Sequence, residues 1–394
     1  MPAGSSATCA SGSRAGGSPT TRATLGWDEV RARRLARSHL LERAPPDRLV
    51  EVVRDVGGIH AQVMSAAELS LAARVDGITR VDVLDALWER RALVKTWTLR
   101  GTLHLHPAEE LHLWTGAVRA ASGPRWERLD LEPRAAEGAV MAIVDALDGR
   151  ALLRQELARE VGVRVGSWAR ERLASGWGHL VGDAALAGLV CHGPPQGQRV
   201  TFVRTDQWLP AAPAVDDEDA LREAARRFLG TYGPSVPARF ADWLAPQMGA
   251  ARAGEVFAAI DDELEEVELE GTRAWLLAAA GAVGVPPAPP VRLLPEYDCF
   301  VMGFRERDRL LPEAARALAK AHPKGRLEGP GAVPWLLAGG TAAGSWRRAR
   351  SGRRVTVYVT PLARVSTRRR RDLERECNRL GAFLGADATL ELAA

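Results

Sequence analysis

The stretch LVKTWTLRGTLHLHP, residues 93–107, decides the fold. Apolar, β-branched and aromatic side chains flank an Arg100-Gly101 dipeptide, so the segment is expected to form a β-hairpin with its turn at that pair. The sequence before it is helical in pattern. WDEVRARRLARSHLLER, residues 27–43, places Val30, Leu35, His39 and Leu40 near helical spacing and leaves a basic outer face. In APPDRLVEVVRDVGG, residues 44–58, prolines can open a helix and Gly57-Gly58 can close it. A further helix is expected from Ser65 to Val75, with Ser65 as cap and Glu68 at capping-box spacing, and VDVLDALWERR (81–91) adds a short one. Helices followed by a hairpin make a winged-helix pattern.

The pattern returns twice, by order of elements rather than by identity of residues. Residues 138–162 read as helix, turn and helix, residues 167–190 as a further helical segment, and CHGPPQGQRVTFVRTDQWL (191–209) as two strands around a Pro-Gly tip. Residues 219–244 give two helices around a Gly-Pro pair, 250–264 another helix, and EEVELEGTRAWLLA (265–278) a hairpin turning on Gly271. GAVGVPPAPP (281–290) reads as a linker. Beyond it VRLLPEYDCFVMGF (291–304), GAVPWLLAGGTAAGSWRR (331–348) and RRVTVYVTP (353–361) are β-type runs, and residues 370–385 form a closing helix. The expectation is an α+β chain: a disordered tail over 1–24, winged-helix units over 25–130, 131–210 and 211–285, and a small β-barrel or sheet with a C-terminal helix over 286–394.

Composition narrows the function. No run of 18 apolar residues occurs, so no membrane span or membrane partner is expected. The first residues lack the apolar centre of a signal peptide, and Cys9, Cys191, Cys299 and Cys377 form no CxxC pair, which suits the reducing cytoplasm and excludes a zinc site built on thiolates. Residues 347–371 carry ten Arg and no acid, a single-sign run that fits a polyanion or a solvated surface. The net charge of +4 argues against indiscriminate coating of DNA. The chain contains no GxxxxGK[ST], HExxH or GxSxG, nor the H-x-E with PCxxC of zinc deaminases. His104, His106 and His112 in HLHPAEELH are better explained without a metal, because the third depends on a turn.

The remaining motif is GGIHAQ, residues 57–62, ahead of AELSLAARV. Taken alone, His60 and Gln62 fit either a half-buried turn or a pair that holds a water molecule; at i, i+2 in an extended loop both side chains reach one side. GGIHAQ, AELSLAARV, WTLRGTLHL and LLPEYD in this order, with three winged helices and a terminal β unit, resemble the AlkZ/YcaQ-like winged-helix DNA glycosylases from about Trp27 to the end. The resemblance implies a C-shaped monomer in the cytoplasm, associated with the nucleoid. It would cup double-stranded DNA and excise alkylated purines without metal or cofactor, in some members bulky guanine adducts of the producer's own antibiotic. Members commonly carry Gln-x-Gln or Gln-x-Asp where this chain has His60-Ala61-Gln62.

Alkylation at guanine N7 makes the base a cationic leaving group, so an enzyme need only stabilise the sugar cation and deliver water to C1′. The Gln62 carboxamide can accept a hydrogen bond from that water, and His60, with an ordinary pKa of about 6.5, can accept another and take the proton. Arg100 is expected on phosphate with Thr102 and His104 lining the cavity, and Arg199 and Arg204 on the second wing as further DNA contacts. Ala61, Ser65 and Ala66 would keep the groove open to bulk, and Tyr297 and Asp298 are expected to be structural. With Lys95 read as a strand residue, no lyase nucleophile is in view. The alternative is a non-catalytic winged-helix transcription regulator, which three such units in one chain suit less well than a symmetric dimer does.

Overall fold

Among the described residues four small sheets, with helices before and between their strands, give an α+β architecture. The computed structural model describes residues 23–123, 131–175, 179–281, 284–285 and 290–393. The expected hairpin is present: Leu93–Trp97 pairs antiparallel with Leu103–Pro107, Trp97 standing opposite Leu103. Its turn needs left-handed backbone at both Arg100 (φ 56°) and Gly101 (φ 69°), a geometry a glycine makes easy at only one of them. The short strand Ile59–His60 joins the other edge of Leu103–Pro107 and sets His60 opposite His104.

The same scheme recurs. Leu152–Leu153 pairs with Arg199–Arg204, the second strand of a hairpin with Val190–Gln196. In the third instance an antiparallel bridge between Ser235 and Trp275 stands where the other two have a short strand, beside the hairpin Leu264–Leu269 and Thr272–Leu277. The three expected hairpins therefore occur, each with helices between the short strand or bridge and the hairpin. The last sheet has five strands in chain order, Val291–Leu294, Trp335–Ala338, Thr341–Ser351, Arg354–Pro361 and Asp387–Leu392; its first and last strands do not pair, so it is an open sheet and not a barrel.

Several expectations need correction. Ala23 and Thr24, assigned to the disordered tail, lie in a strand paired in parallel with Val267 and Glu268; residues 1–22 fall outside the described residues, as does most of the expected linker. The helix from Trp27 stops at Arg37, because His39 turns into left-handed backbone (φ 52°). The next helix in the motif region spans Met64–Ala72 and begins at Val63 without a side-chain cap, since Glu68 is drawn to Arg80 (2.9 Å) and makes no capping box with Ser65. In residues 291–304 only Val291–Leu294 is a strand; Asp298 accepts the Phe300 N–H (2.9 Å) and starts the helix Cys299–Gly303. The strand Asp387–Leu392 was not foreseen.

The hairpin 93–107 contributes to several cores at once. Leu93 and Leu105 join a cluster that includes Val52, Ile59 and Leu71 and runs on into Val355, Val357 and Phe383 of the C-terminal unit. Leu99 packs with Trp114, Phe228 and Trp243. Trp97 and Leu103 pack with Ile143, Leu157 and Phe202. Trp97, Leu99 and Leu103 of one hairpin thus serve two different interfaces. No helix among the described residues is long and apolar enough to cross a membrane.

A buried ion pair joins the helix after the GGIHAQ motif to the LLPEYD segment. Arg74 meets Asp298 through two bonds (2.8 and 2.7 Å), and Ser70 Oγ donates to the same carboxylate (2.6 Å). Neither charged side chain has any exposure. Burial opposes the Arg74 charge, and the Asp298 carboxylate more than offsets it, holding the guanidinium above its ordinary pKa. Removing one partner leaves an uncompensated buried charge. Asp298→Ala should therefore lose about 3–5 kcal/mol in urea unfolding; a loss below about 1 kcal/mol would show that the pair does not hold the two segments together.

Candidate active site

Two glycines bring the motif strand to its place. Gly57 (φ 70°) and Gly58 (φ 102°) follow the helix Leu49–Asp55, and both need backbone that other residues rarely adopt. Space also demands them: a Cβ on Gly57 would come within 2.8 Å of the Trp243 ring, and one on Gly58 within 2.4 Å of His106. The chain then enters the strand Ile59–His60, and the Ala61 N–H continues the ladder to the Leu103 carbonyl (2.7 Å).

Adjacent rows of this sheet point to opposite faces. One row is His60, His104 and Thr96; the next is Ile59, Leu105 and Lys95. His60 is 7% exposed, with its ring centroid 5.2 Å from His104 in an edge-on contact and 5.1 Å from Tyr297. Its Nδ1 is buried without a hydrogen-bond partner. Gln62 is exposed, with Oε1 3.5 Å from the Leu103 N–H. Ala61, between them, is fully buried, and the two differ in depth: His60 is buried and Gln62 is exposed.

Protonation differs from the expectation. Burial first, then the positive charges of Arg100 and Lys95, push the His60 pKa down to about 3. His104 is held well below its ordinary value by burial, Arg100 and its histidine neighbours, and burial brings His106 to about 3. His60 is therefore a neutral hydrogen-bonding group at working pH and not a base poised to keep a proton. The His104 tautomer follows from its contacts: Nδ1 faces the Thr102 carbonyl (3.1 Å) and must carry the proton, leaving Nε2 to accept from Arg100 (3.3 Å). His106 Nε2 meets Thr98 Oγ1 (2.8 Å), and its ring stacks on Trp114 at 4.7 Å.

The expected DNA contacts fare unevenly. Arg100 is turned inward: it donates to the Trp243 carbonyl as well as to His104, so it braces the site. Thr102 Oγ1 donates to Leu99 within the turn (3.1 Å). Arg199 is exposed near the tip of the second hairpin, whereas Arg204 is paired with Asp148 (2.9 Å) and Asp206 (2.7 Å). The small-residue groove needs correction: Ala61 and Ala66 are core, and only Ser65 of the three is exposed. Asp298 is interior and paired with Arg74, in keeping with the structural role expected of it.

Lys95 is 8% exposed, and burial lowers its pKa to about 8 against the opposing effect of Glu68. A lysine with a lowered pKa is the chemistry of an imine-forming nucleophile. Its row places it on the opposite face of the sheet from His60. Among the described residues no group of three or more His, Cys, Asp or Glu side chains could hold a metal ion; His104 and His106 are side by side, while His112 lies against Gly188. The residue that sequence reading placed least well is Tyr297, whose contact with His60 joins distant segments and leaves no local pattern.

Known proteins resemble the chain over most of its length. A family model described as DNA glycosylase AlkZ-like matches residues 53–383, from just before the motif to the C-terminal helix. An interstrand DNA cross-link repair glycosylase of Streptomyces sahachiroi is 32% identical over 312 residues, which cover 75% of this chain and 82% of the relative. The solved structure of the Streptomyces sahachiroi DNA glycosylase AlkZ superposes with a TM-score of 0.78 at 27% identity, over 94% of this chain and 100% of that one. With its motif strand, hairpin and four of the five strands of the terminal sheet inside the matched span, the chain belongs to the AlkZ-like family of DNA glycosylases, hydrolases of the bond between base and sugar.

Proposed function

We propose that the chain hydrolyses the N-glycosidic bond of N7-alkylated purines in double-stranded DNA, with His60 and Gln62 holding the attacking water. The observation that carries this is a neutral imidazole with an unpartnered Nδ1, two residues before an exposed carboxamide. As the C1′–N9 bond breaks, its electron pair neutralises the cationic base and the sugar gains positive charge. An imidazolium there would repel that charge; a neutral ring does not, and its nitrogen can align the water with C1′. The water oxygen bonds C1′ and releases its proton to solvent. A histidine held near 3 does not store that proton. The pair therefore suits a base that leaves without protonation.

The same reading takes residues 25–130, 131–210 and 211–285 as three winged helices and 286–394 as the closing unit of a C-shaped monomer around the duplex. Arg199 and the basic run 347–371 would meet phosphates, Thr102 and His104 would lie at the cavity, and Arg100 and Arg204 would act mainly by bracing their hairpins. The name of the Streptomyces sahachiroi relative supports extending the range to interstrand cross-links, and the same reading includes bulky antibiotic–guanine adducts. Such lesions are poorly suited to flipping into a closed pocket.

Incubation with a duplex carrying 7-methylguanine, or a bulky N7-guanine adduct, should generate abasic sites that mild base converts to breaks. His60→Ala and Gln62→Ala should each slow single-turnover release by about 10²–10⁴-fold, and wild-type rates in both would refute the assignment. Without added base the strand should stay intact, and borohydride should trap no covalent complex, because Lys95 lies across the sheet from His60; a trapped complex would show that it reaches the sugar. The single-turnover rate should be level from about pH 5.5 to 8.5, since a group titrating near 3 is neutral throughout that range. An acid limb centred near the ordinary histidine value of about 6.5 would mean that His60 is not held neutral.

A further inference from the structure

Tyr297 lies in the LLPEYD segment, whose other members are visibly committed. Glu296 pairs with Lys324 (2.5 Å), and Asp298 is locked to Arg74. Tyr297 differs from both. Its backbone is left-handed (φ 58°), a conformation that costs a residue with a side chain roughly 1 kcal/mol or more and that glycine would adopt freely. The main chain is fixed there by the bond from the Tyr297 N–H to the Gly331 carbonyl (2.6 Å), and the hydroxyl donates to Glu328. Held at both ends, the half-buried ring stands 5.1 Å from His60 with its plane 33° from the imidazole plane. His104 meets the same imidazole edge-on. A tyrosine present only to fill space has no need of this backbone.

We propose that Tyr297 is a positioning residue for His60: its ring covers one face of the imidazole and, tethered through Glu328, directs the attacking water to the side of Gln62. The assignment rests on reading His60 as a water-holding residue, and it adds a part of the site supplied by the C-terminal unit. Among the described residues, the charged or titratable groups that bear directly on His60 are His104 and Lys95 from the hairpin strands, Arg100 from its turn and Tyr297 itself. None is an anion, so burial beneath Tyr297 works with the cations to keep the imidazole neutral.

The test compares Tyr297→Leu, which removes the ring, with Tyr297→Phe, which removes only the tether, in the full-length protein. Melting temperature and duplex affinity serve as controls. In Tyr297→Leu, imidazole NMR should show the His60 titration moving up from about 3 toward the ordinary histidine value. Single-turnover excision of 7-methylguanine should fall by about 10–100-fold with duplex affinity little changed, as expected for a misplaced reacting group. The rate should also acquire an acid limb that wild type lacks. Tyr297→Phe and Glu328→Gln should show the same changes in smaller degree. A wild-type titration and pH profile in Tyr297→Leu, or a loss of rate that only follows affinity or melting, would overturn the role. If His60→Ala and Gln62→Ala excise normally, the reading of the site itself fails. If those two are inactive while Tyr297→Leu matches wild type, only the assignment of Tyr297 falls.

Discussion

The placement of His60 depends on one hairpin being shared by cores that would otherwise be separate. Leu93 and Leu105 anchor it to the first helices and the C-terminal sheet, Leu99 to the helices around Trp243, and Trp97 and Leu103 to the helices around Ile143. A strand fixed from three directions has little freedom to shift, and His60 hangs from its edge by the pairing with His104. The backbone beyond is equally constrained, because Gly57 and Gly58 admit no side chain against Trp243 and His106. Precision at a reacting group usually comes from rigid elements beneath it, and here they belong to several parts of the chain at once.

Electrostatics completes the arrangement. The site gathers histidines and cations, with burial keeping the imidazoles uncharged. Arg100 acts on two counts: it hydrogen-bonds His104 and so fixes that ring's tautomer, and its charge discourages protonation of both rings. A carboxylate in place of His60 would hold a sugar cation more strongly. A neutral pair stabilises less and is adequate where alkylation has already made the base a good leaving group.

The hairpins were legible because strand composition and turn residues are local signals, and Gly101, Gly197 and Gly271 mark turns that the structure contains. The fold class followed from their repetition. Helix ends were less legible: the cap expected at Ser65 failed because Glu68 had a better partner in Arg80, a competition that spacing does not record. His60 and Gln62 stood out through family resemblance more than through pattern, and neither the depth of His60 nor its depressed pKa has any signature in a hexapeptide. The pairing of Arg74 with Asp298, and of Tyr297 with His60, required the C-terminal sheet to return to the first helices, which no periodicity announces.

The bond between Arg74 and Asp298 bears on how the molecule comes apart. It lies beside a hydrophobic cluster that already includes side chains from both ends of the chain, so the segment carrying the motif and the segment carrying the last sheet cannot separate without exposing charge and oil together. Those two regions are expected to open together, as a single cooperative block in amide exchange.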